Sequence, residues 1–132
     1  MKTRLLGTLL LGALTILPGC ARANDTSGNG VVPGIPVKDT VTVVDLGAKT
    51  CIPCKMMAPI LEELQTEYRG KAAVIFIDVK EKENEGKAQA FKLMGIPTQI
   101  FFDRNGKEVN RHLGFMAKDD IKRQLDAMLG EK

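Results

Sequence analysis

Two cysteines two residues apart, in the run Cys51-Ile52-Pro53-Cys54, are the side chains of this chain best fitted to covalent chemistry. A crosslink between them closes too small a loop to staple a domain, because crosslink stabilisation grows with loop length. Their spacing is therefore read as redox chemistry, with the disulfide itself as the reactive group and no separate cofactor. A zinc site is the alternative for such a pair. Zinc usually takes four ligands, however, and the only other cysteine and histidine are Cys20 and His112, so no metal is expected. A thiol at a helix start meets unpaired backbone amides and the positive end of the helix dipole, which favour an anionic sulfur. Cys51 takes that place and is read as the attacking thiol. Cys54 falls in the first turn, where it should be more buried and able to attack a mixed disulfide at Cys51. Pro53 restricts the backbone between them and supplies no competing donor.

The flanking sequence predicts the elements that hold this pair. Thr40 to Leu46 is β-branched and mostly apolar, as in a strand buried on both faces. From Pro53 to Tyr68, Met56, Met57, Ile60, Leu61, Leu64 and Tyr68 recur at helical spacing, and Gly70 closes the helix, with Pro59 expected to kink it. Ala72 to Val79 reads as a second buried strand. The charged run Lys80 to Glu85 reads as a solvated loop and helix start with no assigned function, and Glu85 to Met94 as a short helix stopped by Gly95. Strands Thr98–Asp103 and Lys107–Leu113 flank an Asn105-Gly106 hairpin turn, and Lys118–Leu129 is an amphipathic helix. A parallel crossover followed by an antiparallel hairpin gives an α/β fold with a central mixed sheet flanked by helices.

At 132 residues the chain has room for one domain, and 44% hydrophobic with 27% charged residues is an ordinary globular balance. Residues 1–19 read as an export signal, with Lys2 and Arg4 ahead of an apolar run from Leu5 to Leu17 that is short for a membrane span. Leu17-Pro18-Gly19-Cys20 resembles a bacterial lipobox, which would lipidate Cys20 and anchor the protein to a membrane. Ala21-Arg22-Ala23 offers ordinary cleavage instead, which would discard Cys20. Both exits lead to an envelope compartment, on the periplasmic side of a bacterial cell, where disulfides persist. Residues 20–38 are rich in Gly, Pro and small polar types, the composition of a flexible tether, and the folded domain is assigned to 39–132. The net charge of +3 falls to +1 without Lys2 and Arg4, which leaves 17 basic against 16 acidic side chains. No basic stripe interleaved with aromatics is present, which argues against nucleic acid as a partner.

The run from Val44 to Leu61 resembles the active-site segment of the thioredoxin family in length, order and hydrophobic pattern. The similarity continues through Gly95-Ile96-Pro97-Thr98, the hairpin, Gly114 and the last helix, covering residues 40–129. The resemblance implies the thioredoxin fold and a monomeric thiol:disulfide oxidoreductase. It also implies that Pro97 is a cis-proline beside the disulfide, leaving the backbone of Ile96 free to pair with a bound peptide, and that Gly114 leaves room for the partner's backbone. Asp45, six residues before Cys51, matches the buried acid that helps move the proton of the second cysteine; burial would raise its pKa and make it a general base. A strand-end carboxylate reaching solvent is the alternative for Asp45. Lys55 could add positive charge near the sulfur or simply be solvated.

The sequence departs from the family at several points. Thr50 stands where a tryptophan commonly precedes the first cysteine, Ile52 replaces a glycine and makes the rim more apolar, and the lysine usually near the buried acid has no clear counterpart. Pro53 and Asp45 both match the reducing branch. The expected partners are cysteine-containing exported proteins and a membrane thiol electron donor. The competing function is a protein-binding module whose disulfide is structural or redox-sensing.

Overall fold

The computed structural model describes residues 32–130. The export signal, both of its candidate exits and Cys20 lie outside the described residues. Strand β1 (Val41–Gly47) is followed by helix α1 (Ile52–Glu67) and strand β2 (Ala72–Asp78). A one-turn helix α2 (Lys87–Ala90), strands β3 (Thr98–Phe102) and β4 (Glu108–Leu113) and helix α3 (Lys118–Leu129) complete the order. The four strands form one sheet in the order β2-β1-β3-β4. β1 runs parallel to β2 and antiparallel to β3, and β3 and β4 form an antiparallel hairpin. The mixed sheet flanked by helices is the architecture the sequence pattern predicts.

β1 is central and all seven of its residues are buried, as its unbroken run of β-branched and apolar residues demands. Alternation along the strand divides its side chains between two cores. Val41 and Val43 join Met57, Leu61 and Leu64 of α1, Phe101 of β3, and Ile121 and Leu125 of α3. Val44 and Leu46 point the other way, to Ile77, Phe91, Ile100 and Phe102. Val32 is buried in this second core and Ile35 packs against it. Residues 32–38, assigned by composition to the end of a tether, thus include side chains that lie against the domain.

The helix expected over Glu85–Met94 is reduced to a single turn. Gly86 adopts a left-handed conformation at φ +83° and so cannot continue a helix from the preceding residues. Residues Lys82–Asn84 form a tight turn of their own. Asn84 is buried there and donates from Nδ2 to the Asp78 carbonyl. α1 retains Pro59 within its length, and Gly70, at φ +79°, follows the turn that ends it. The hairpin turns at Asn105-Gly106 as predicted, with Gly106 at φ +77°. Asp103 organises it, its Oδ1 accepting from the amides of Asn105 and Lys107. A register shift between Phe101 and Phe102 leaves Val109 without a partner across the ladder. Among the described residues, no helix is long and apolar enough to cross a membrane.

Candidate functional site

The end of β1 and the start of α1 are joined by four residues, Ala48 to Cys51, so the cysteines stand directly above the most buried strand. Cys51 is the N-cap of α1: its backbone is extended and its Sγ accepts from the Cys54 amide at 3.4 Å. It thereby meets one of the unpaired donors of the helix start. Cys51 and Cys54 are joined in a disulfide with their Cα atoms 5.2 Å apart. Cys51 is half-buried while Cys54 is 3% exposed, the asymmetry expected of an attacking and a resolving thiol. Ile52, between them, is 75% exposed.

Gly47 explains how Cys54 comes so close to the sheet. A Cβ at this position would lie 3.2 Å from Cys54 Cβ, 3.3 Å from Cys54 Sγ and 3.0 Å from the Phe76 ring. A side chain there would crowd all three atoms, which would have to give way by a few tenths of an ångström. Asp45 lies on the same face of β1 two residues earlier, about 7 Å below at the rise of a strand. It is completely buried, which excludes the solvent-reaching alternative. Burial raises its carboxyl pKa from 3.8 to about 6, partly opposed by a hydrogen bond from Gln99 Nε2 to Oδ1. Asp45 pairs with Phe76 of β2 on one side and Gln99 of β3 on the other.

The Ile96–Pro97 peptide bond is cis. Thr98 pairs with Leu46, so the register places Pro97 level with Gly47, at the same end of the sheet as the cysteines. The Pro97 carbonyl accepts from the Gly114 amide at 2.8 Å, and Gly114 has φ +106°. Ile96 and Gly114 are partly exposed. Met94 before the cis bond, and Leu113 and Phe115 on either side of Gly114, are exposed apolar side chains.

Sequence reasoning missed three residues that support this site. Asp78, at the end of β2, accepts from the Lys49 amide through Oδ2 and from the Lys80 amide through Oδ1, both at 2.9 Å. These bonds hold its carboxyl below the usual range. Lys80 in turn donates from Nζ to Thr50 Oγ1 at 3.2 Å, and Lys49 pairs with Glu81. Part of the charged run to which no function was assigned therefore braces the segment leading into Cys51. Gln99 was the third, hidden in an apolar strand pattern; a lone amide among Thr98, Ile100, Phe101 and Phe102 was its signal. Lys55 is exposed on α1, lining with Cys54, Phe76 and Gln65 a cleft of about 370 Å³. Among the described residues, no group of three His, Cys, Asp or Glu side chains is arranged to hold a metal ion.

Comparison with known proteins agrees with this geometry. The family model described as Thioredoxin matches residues 34–127. Thioredoxins from several strains of Staphylococcus aureus are 42% identical to this chain over 93 residues, which is 70% of this chain and 86% of theirs. The crystal structure of chloroplastic thioredoxin z is similar at a TM-score of 0.64 and 26% identity. The match covers 74% of this chain and 85% of that one.

Proposed function

Starting from a chain that belongs to the thioredoxin family of thiol–disulfide oxidoreductases, we propose that it works as a reductase of exported proteins, held on the envelope by a lipid at Cys20. The observation that carries the reading is the disulfide at the start of α1, with Cys51 half-buried, Cys54 buried and a protonatable acid beneath it. The reduced pair acts in two displacements. The Cys51 thiolate attacks one sulfur of a partner's disulfide; that S–S bond breaks, the second partner sulfur leaves as a thiolate, and a mixed disulfide remains on Cys51. Cys54 then gives its proton to the Asp45 carboxylate and attacks Cys51 Sγ, forming the Cys51–Cys54 disulfide and releasing the partner's first sulfur as a thiolate. The partner gains two electrons and the protein loses two.

During the exchange the partner's chain lies along Ile96, whose backbone is left free by the cis bond to Pro97, with Gly114 giving it room. Ile52 and Pro53 supply an apolar rim. Export rests on the apolar signal at residues 1–19 and the lipobox-like run ending at Cys20. A membrane thiol donor then returns electrons to Cys51 and Cys54. The reducing direction is supported by Pro53 between the cysteines and by Asp45.

The test is the equilibrium reduction potential of the Cys51–Cys54 pair in a defined thiol buffer. The expected value is near about −270 mV, that of a reducing member of the family. A value near about −120 mV would mark an oxidant and reverse the direction of electron flow.

A further inference from the structure

Within the buried site, two polar atoms have no hydrogen-bond partner among the described residues: Asp45 Oδ2 and Gln99 Oε1. They belong to the two side chains already joined by the bond from Gln99 Nε2 to Asp45 Oδ1, and their residues are directly opposed across β1 and β3. Both orphans are acceptors while Asp45 is charged, so neither can satisfy the other. A buried acceptor without a donor is costly. Adding one proton to Oδ2 supplies the missing donor, and an O–H from Oδ2 to Gln99 Oε1 then closes an acid–amide ring with two hydrogen bonds.

We infer that Gln99 is the positioning residue for the proton that Asp45 takes from Cys54, holding the neutral acid in an acid–amide ring. The inference rests on the reading of Asp45 as the proton acceptor for Cys54. The step is balanced: the Cys54 S–H bond breaks, its proton forms the Asp45 Oδ2–H bond, and the electron pair left on sulfur attacks Cys51 Sγ. The partner departs with the pair from the broken mixed disulfide. Gln99 changes no covalent bond; its Oε1 gains a donor as the proton arrives.

The surroundings leave this task to an amide. Phe76 faces Asp45 from β2, and the buried side chains of α1 are Cys54, Met57, Leu61 and Leu64. Those of α3 are Ile121 and Leu125, and β3 adds Phe101 to Gln99 in the same core. Besides Cys54, the titratable groups packed nearby are Tyr68, buried at the end of α1, and Asp78, buried at the end of β2, with Lys49 and Lys55 lining the cleft at Cys54 and Phe76. None of them contributes to the raised carboxyl pKa of Asp45, which burial raises and the Gln99 hydrogen bond opposes. Proton uptake by Asp45 is governed by burial and by Gln99.

The experiment follows Asp45 Cγ and Gln99 Cδ by carbon-13 NMR through a pH titration of the full chain. Single-turnover kinetics then separate formation of the mixed disulfide from its release in the wild type, Gln99→Met and Asp45→Asn. The ring requires Gln99 Cδ to shift with the same midpoint as Asp45 Cγ. In Gln99→Met the release step should fall about tenfold relative to formation, the size of one strong buried hydrogen bond. A Gln99 Cδ signal that stays flat through the Asp45 midpoint overturns the inference, as does an equal fall of both steps in Gln99→Met. Release in Asp45→Asn as fast as in the wild type would instead remove Asp45 from the proton path, while the Gln99 Cδ titration would still report on the ring itself.

Discussion

A carboxyl held at a pKa of about 6 in the folded protein and 3.8 when exposed binds its proton more tightly folded than unfolded. It therefore stabilises the fold below about pH 4, and that stabilisation is lost as pH rises through about 6. The span corresponds to about 3 kcal/mol. Urea unfolding of the oxidised protein at pH 4, 6 and 8 should show this loss in the wild type relative to Asp45→Asn, whose amide cannot ionise. If the difference between the two proteins does not change with pH, Asp45 does not titrate in this range. At the cysteines, Cys54→Ser should accumulate mixed disulfides with partners through Cys51, visible on non-reducing gels, and Cys51→Ser should accumulate none. A docking module with an idle disulfide would trap nothing in either variant. The cysteine pair was legible in sequence because their spacing and their place between strand and helix are local facts. The burial of Asp45 was anticipated only through the family resemblance, since nothing local distinguishes a buried strand acid from one reaching solvent. Gln99 became visible only when β1 and β3 were laid side by side.

At the level of elements, the chemistry depends on a loop whose support comes from another strand. Replacing Asp78 with Ala leaves the amides of Lys49 and Lys80 without their acceptor, a loss of about 2 kcal/mol for two hydrogen bonds to a charged group partly offset by solvent. Unfolding midpoints should fall accordingly, and hydrogen exchange at the Lys49 amide should quicken. Because the Asp78 carboxyl is held below its usual range, its contribution is present at neutral pH and fades as pH falls below about 4. Strands and long helices were legible from periodicity, since β1, α1 and α3 carry unbroken patterns. The short helix was over-read. In the run from Glu85 to Met94, Gly86 sits in the left-handed region and confines the helix to one turn, while Ala90, Phe91 and Leu93 pack in the second core and hold it in place.

For the whole molecule, the boundary of the domain lies earlier than composition implied. Val32 is 6% exposed and packs in the core with Leu46, Phe91 and Phe102. Val32→Ala in the full chain should lower stability by about 1–2 kcal/mol, the value of the lost apolar burial, as read from urea midpoints. A tether segment would show no change. Gly and Pro in this stretch signalled turns, including the cis Ile35–Pro36 bond, and turns resemble linkers when only composition is read. The buried β1 has a last consequence for how partners are met. The strand carrying the site is locked on both sides and both faces, and of the two cysteines above it Cys54 is buried and Cys51 half-buried. Such a platform cannot reshape itself around a folded target. On the proposed reading of the site, the burden of deformation falls on the partner, which should offer its cysteines on an extended or locally unravelled stretch.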